Sequence, residues 1–167
     1  RRGSPLLCDG LDRVACDSMV MPGTVMNTLP LQKVLVRKGL ATRVMSASRM
    51  RDIAERYIRR RALRHLEVGR IVIFAAGTGN PYFSTDTTAA LRAIQMRAQV
   101  IIKATSVDGV YTADPKKDPT ATKYDEISYR DVMLAELGVM DQPAVTLCKE
   151  HRLPWIVLKL HRPGALP

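Results

Sequence analysis

Apolar positions recur along this chain in two alternating rhythms. Residues 18–38 carry them at helical spacing, with Pro22 and Gly23 inside the first turns, and residues 41–45 form a short strand pattern. Helical spacing returns over residues 49–67 through Met50, Ile53, Ala54, Tyr57, Ile58, Ala62, Leu63 and Leu66. The run RIVIFAA (70–76) is β-branched and apolar on both faces, which predicts a buried strand. A polar loop over 77–85, a helix over 86–98 and a second buried strand over 100–103 follow. Residues 106–122 are rich in Pro, Asp and Lys and predict irregular chain. Ser128 with Asp131 three residues later predicts a capping box opening a short helix. Another helix is expected from about 141 to 152, and WIVLKL (155–160) closes as a strand. Strands alternating with helices predict βαβ units and a mostly parallel sheet. Ligands of such sheets sit at the carboxyl ends of strands.

Composition narrows the picture. The 167 residues are 46% apolar and 25% charged, the balance of a single globular domain spanning 1–167. The longest uninterrupted apolar run, 71–76, falls far short of the roughly 20 residues that a bilayer helix needs, so no membrane span is expected. Gly3-Ser4-Pro5 and Asp9 interrupt any apolar run near the start, so no secretory leader is expected. Three scattered cysteines, never in a C-x-x-C pair, argue against a disulfide framework and a structural zinc site and fit a reducing compartment.

Charge points toward an anionic partner. Twenty-six Lys and Arg against 16 Asp and Glu give +10, which suits nucleotide phosphate, nucleic acid or an acidic membrane. Seven arginines fall between Arg49 and Arg64, on the expected basic helix. That face is either solvated, in contact with another subunit, or a nucleic-acid surface. Two Phe, one Trp and five Tyr give little for base stacking, so the nucleic-acid alternative is the weaker one.

Two loops follow the two strands expected to be most buried. After RIVIFAA comes Gly77-Thr78-Gly79-Asn80-Pro81-Tyr82-Phe83-Ser84-Thr85-Asp86, leading into a helix. Glycines permit a tight turn, and hydroxyls with helix N-terminal N–H groups can hold a phosphate, while Tyr82 and Phe83 offer a surface for a planar base. The same residues also read as an ordinary strand-to-helix loop, with Ser84 or Thr85 as N-cap and Asp86 complementing the helix dipole. After the second strand, residues 104–115 offer hydroxyls, Tyr111, Asp108 and Asp114, with Lys103 nearby for phosphate charge. Asp108-Gly109 and Asp114-Pro115 are equally ordinary turn signals. Spacing alone leaves both pairs of readings open.

Taken together, GTGNPYFSTD, TAALRA and KATSVDGVYTADP closely resemble the bacterial and plastid type of UMP kinase, within the amino acid kinase superfamily. YIRRRALRHLE, Val139-Met140-Asp141 and RPGAL extend the resemblance over nearly the whole chain. VDGVYTADP is shared with related kinases of other acceptors; TGNPYFSTD is the motif that points to UMP. The resemblance implies a three-layer αβα sandwich around a mostly parallel central sheet, and transfer of the ATP γ-phosphoryl to UMP with Mg²⁺. It implies UMP-binding roles for Asp17, Thr78, Gly79, Asn80, Pro81, Tyr82, Phe83, Ser84 and Thr85. It implies ATP-binding roles for Arg2, Thr105, Tyr111 and Asp114. Asp86 and Asp141 are candidate catalytic carboxylates that orient metal or donors, or simply helix caps; no metal ligand is assigned. Further implications are a homohexamer and a place in the bacterial cytoplasm or plastid stroma.

Such chemistry needs positioning and charge stabilisation rather than a catalytic triad, and His65, His151 and His161 have no triad-like company. The family pattern opens with a strand, a Lys-x-Ser-Gly loop and a Gly-Gly-Gly-Asn loop that are absent before Arg2. The sequence therefore reads as the C-terminal two-thirds of the family domain, lacking its N-terminal βα elements. As an isolated polypeptide it is expected to have weak or absent kinase activity unless the missing part is supplied, because losing one preorganised electrostatic element commonly costs ~10²–10³ in rate. A catalytically inactive nucleotide-binding or regulatory module is the alternative.

Overall fold

The computed structural model describes residues 10–160. The chain divides into two compact units, Arg1–Thr88 and Ala89–Pro167.

The first unit is built on a parallel sheet of three strands, β1 (Thr42–Ser46), β2 (Glu55–Arg56) and β3 (Ile71–Ala75), in the order β2-β1-β3. β1 pairs with β3 in continuous register from Thr42↔Ile71 to Ser46↔Ala75, and with β2 through Met45↔Glu55 and Ser46↔Arg56. Its central place makes it the most buried strand, closed everywhere except at Arg43. Among the described residues β3, expected to be buried on both faces, is instead an edge strand, with Ile71 exposed and only Ala75 buried. Apolar, β-branched composition identified the strand but does not determine its position in the sheet.

Helix α1 (Arg13–Arg37) begins earlier than the spacing predicts, because the Asp12 side chain caps it by accepting from the Ala15 N–H at 2.7 Å. Met21 and Val25 face inward and join Val44, Ala54, Ala75 and Ala76 in the first core. At the far end Gln32 Nε2 donates to the Thr42 carbonyl, 3.1 Å. Pro22 and Pro30 both lie inside the helix, each removing a backbone donor. Gly23 between them has an ordinary backbone conformation and open space where a Cβ would stand. Gly23→Ala is expected to stabilise the protein by about 0.5–1 kcal/mol, read as a higher urea midpoint at unchanged m-value.

The continuous basic helix over 49–67 does not form. Residues 51–54 turn, Glu55–Arg56 join β1, and only Arg59–Glu67 is helical, as α2. Tertiary pairing overrides the spacing here: the Tyr57 N–H donates to the Ser46 carbonyl at 2.8 Å and Ala54 enters the core. The Tyr57 ring also meets Phe74 edge-on at 5.6 Å. Glu55 is held by the ring Nε2 of His65 at 2.9 Å and lies 3.8 Å from Arg61, while Arg70 reaches the other His65 nitrogen at 3.0 Å. The arginines are thus split between a turn, a strand and a nine-residue helix. The continuous helix on which that basic face was expected is not formed.

Helix α3 (Thr85–Met96) leads from the first unit into the second. There β4 (Ile101–Thr105) pairs in parallel with β7 (Trp155–Lys159), from Ile101↔Trp155 to Thr105↔Lys159. Between them lie an antiparallel ribbon of β5 (Val110–Tyr111) and β6 (Lys123–Tyr124), then α4 (Tyr129–Leu134) and α5 (Gln142–Glu150). The ribbon closes what the composition predicted as irregular chain. The expected capping box forms: Ser128 Oγ accepts from the Asp131 N–H at 3.1 Å and donates to the Asp131 carboxylate at 2.6 Å. A second core gathers Ile101, Val132, Met140, Val145, Cys148 and Leu153. The fold is α/β with parallel sheets, as expected, but among the described residues the parallel strands form two sheets rather than one. Cys148 is a free, buried thiol, and Cys8 lies outside the described residues.

Candidate functional site

The first unit presents the 77–84 loop at the carboxyl end of β3. The chain leaves the strand through Ala76 and Gly77, both at positive φ (61° and 59°), and turns again at Gly79 (81°) and Tyr82 (71°). Gly79 is required by space as well as conformation, since a Cβ there would stand 3.2 Å from the Ala47 Cβ and 3.4 Å from the Ala47 carbonyl oxygen. Thr24 of α1 pins the loop's start by accepting from the Ala76 N–H at 2.8 Å. Thr78 Oγ1 accepts from the Asn80 N–H (3.1 Å), and Ser84 Oγ accepts from the Thr87 N–H (3.0 Å), capping α3. Thr85 and Asp86 occupy the first turn of α3, where N–H groups and the helix dipole favour negative charge.

Asp17 reaches across from α1 to this loop. Its Oδ2 accepts from the Tyr82 N–H at 2.7 Å. Arg13, one turn earlier, donates to the Tyr82 carbonyl at 3.3 Å, lies over the Tyr82 ring at 4.8 Å, and sits 3.7 Å from Asp17. Positive φ at a bulky residue is strained, and persists where surrounding contacts over-determine it; Asp17 and Arg13 do so here. Residues assigned together by resemblance, Asp17 and the 78–85 loop, are therefore brought together. Arg13 was missed as a partner of that loop, although its i,i+4 spacing to Asp17 was a readable signal. Tyr82 and Phe83 remain exposed, with Arg13 covering one face of the Tyr82 ring.

The second unit holds the other set. Tyr111 and Asp114 line a cleft of about 510 Å³ with Ser106, Gly109, Lys116 and Glu136, within the size range of small-ligand sites. Lys116 Nζ donates to Ser106 Oγ at 3.0 Å and supplies the cleft's positive charge; the sequence reading had not singled it out. Thr105 ends β4, its carbonyl accepting from the Leu160 N–H at 2.9 Å, and is not among the lining residues. Asp114 Oδ1 accepts from the Lys116 N–H (3.0 Å), holding its own turn. Lys103, expected near phosphate, instead donates to the Val139 carbonyl at 2.6 Å. A larger cleft of about 590 Å³ in the same unit contains none of the assigned residues.

Tyr111 donates to Asp108 Oδ1 at 2.7 Å, and Lys123 lies 3.4 Å from Oδ2. The Tyr111 hydroxyl first, then the backbone N–H of Asp108 and the Lys123 charge, hold the Asp108 carboxyl below its usual 3.8. The same bond pushes the Tyr111 phenol above 10. A depressed carboxyl stabilises the fold above about pH 4, and that contribution is lost as pH falls through the lower folded value. Tyr111→Phe is expected to move Asp108 back up toward 3.8, measured by NMR titration of the carboxyl carbon.

Of the two candidate catalytic carboxylates, Asp141 is the N-cap of α5, accepting from the Ala144 N–H at 3.2 Å, and Asp86 lies in the first turn of α3. Arg2 lies outside the described residues. Among the described residues no group of three or more His, Cys, Asp or Glu could hold a metal ion, and no helix is long and apolar enough to cross a membrane.

The loop clasped by Asp17 in the first unit and the cleft of about 510 Å³ in the second both belong to an α/β fold with parallel sheets. The chain belongs to the amino acid kinase family, whose model matches residues 4–159. It is 52% identical over 164 residues to a uridylate kinase of Paramagnetospirillum magneticum, covering 98% of this chain and 68% of that protein. The crystal structure of the UMP kinase from Bacillus anthracis superposes with a TM-score of 0.93 at 40% identity, over 96% of this chain and 68% of that one. The UMP kinase from Ureaplasma parvum gives 0.89 at 34% identity, over 93% and 67%.

Proposed function

We propose that this chain is a UMP kinase, transferring the γ-phosphoryl of ATP to UMP to give UDP and ADP in pyrimidine nucleotide biosynthesis. The observation that carries the reading is the clasp of Asp17 on the Tyr82 N–H, which holds GTGNPYFSTD open-faced beside the α3 N-terminus. The names of the similar proteins support the same acceptor. In this reading Asp17 and residues Thr78 to Thr85 bind UMP, with the loop's hydroxyls and N–H groups on the phosphate. Tyr111 and Asp114 bind ATP in the cleft of the second unit; Thr105 and Arg2 are assigned to ATP by the family resemblance alone. Mg²⁺ arrives with the ATP phosphates as part of the substrate, in keeping with a cation that is usually bound through substrate phosphates and one or two carboxylates. Asp86 and Asp141 then orient donors rather than form a metal cage. The two units act as one amino acid kinase domain, and the active assembly is a homohexamer in the bacterial cytoplasm or plastid stroma.

Titration calorimetry with UMP, alongside a coupled assay for ADP with UMP, CMP, glutamate and carbamate as acceptors, tests the reading. Saturable heat with UMP and ADP formation dependent on UMP alone are expected. UMP binding without ADP formation would assign the chain instead as a nucleotide-binding module, and a flat trace from folded protein would remove the acceptor site.

A further inference from the structure

The carboxyl end of β1 carries a hydroxyl that has no evident structural task. Ser46 is 0% exposed, and its Oγ has no hydrogen-bond partner among the described residues. A buried hydroxyl without a partner is costly, and alanine would fill the same place without that cost. Its position indicates a use. Strand alternation puts Ser46 on the same face as Thr42 and Val44, the face that packs on α1 through Val25 and Met21. α1 runs antiparallel to β1, with Gln32 at Thr42 and Asp17 at the loop end. Four strand residues beyond Thr42 is about 13 Å, or about nine residues of helix, which sets Ser46 level with the turn from Met21 to Thr24. At that level Thr24 holds the Ala76 N–H. Ser46 pairs with Ala75 in the sheet, and the next residue, Ala47, is the one against which Gly79 packs. By this reckoning the hydroxyl stands level with Ala76, whose N–H Thr24 holds and from which the 77–84 loop departs.

We propose that Ser46 is a positioning residue for this loop: its hydroxyl takes a hydrogen-bond partner from the backbone of residues 77–79 when the loop closes on a nucleoside monophosphate. Part of the affinity for the ligand then comes from satisfying a group that has no partner among the described residues. The inference rests on the acceptor role given to the loop above.

Ser46→Ala separates this role from a merely structural one. In the free protein the variant should melt at the same temperature as wild type or higher, because it removes an unpaired hydroxyl. Its dissociation constant for UMP should rise about tenfold (~1.4 kcal/mol), and UMP should protect the amides of residues 77–80 from hydrogen exchange less than in wild type. Ser46→Cys, of similar volume but a weaker donor, should fall between the two. A lower melting temperature of the free alanine variant, or an unchanged UMP affinity, overturns the proposal. A wild-type chain that binds no UMP removes the acceptor role first and this inference with it; equal binding by wild type and variant removes only this inference.

Discussion

Asp17→Ala is expected to weaken UMP binding by about 10- to 100-fold while leaving ATP binding in the second unit unchanged. The side chain makes one charge-assisted bond to the Tyr82 N–H and shares Arg13, and a bond of that kind contributes about 1.5–3 kcal/mol. Tyr82 stands at φ 71°. Without the aspartate, the strained backbone loses the bond to its N–H and keeps the Arg13 contacts, so the loop relaxes. Asp17→Asn should lose less, since its carbonyl oxygen can still accept from the N–H. Calorimetric titration of both variants with UMP and with ATP checks the order. Equal losses for both ligands would mean that the aspartate supports the whole fold rather than the loop.

Gly79→Val is the second large effect. The position combines φ 81° with a Cβ that would crowd the Ala47 side chain and carbonyl. Left-handed backbone costs an L-residue roughly 1–2 kcal/mol, more when it is β-branched, and the crowding adds to it. A loss of about 2–3 kcal/mol is expected, which for a chain of this size lowers the melting temperature by about 5–10 °C. UMP binding should disappear with it, because relief of the clash requires the loop to move off Ala47. Gly79→Ala, with the smaller side chain, should lie between valine and wild type in both measurements. A valine variant with normal melting and normal UMP binding would show that the loop tolerates displacement.

How far the sequence could be read depended on whether the signal was local. Caps are local, and Ser128, Asp131 and Asp141 were readable as caps because a side chain and an N–H three residues away settle the matter. Strand identity was also local, so β1, β3, β4 and β7 were all found. Sheet position was not: RIVIFAA reads as a central strand, yet β1 occupies the centre because it is the strand flanked on both sides. The basic helix failed for the same reason. Residues 50–58 have helical spacing, but Glu55 and Arg56 gain a parallel partner in β1 that no window of sequence reveals. In the candidate site, motif resemblance supplied Asp17 and the loop, whereas the Arg13 contacts join residues 69 positions apart and emerged only from the fold. The tie of Lys103 to Val139 is of the same long-range kind, 36 positions apart.

The central claim is that the loop after β3 cups a pyrimidine monophosphate. A crystal structure of this chain soaked in UMP tests it most directly. The account predicts density for the nucleotide against residues 78–85, with its phosphate near the α3 N-terminus and Asp17 still bonded to Tyr82. Density elsewhere, with Asn80 and its neighbours facing only solvent, would contradict it.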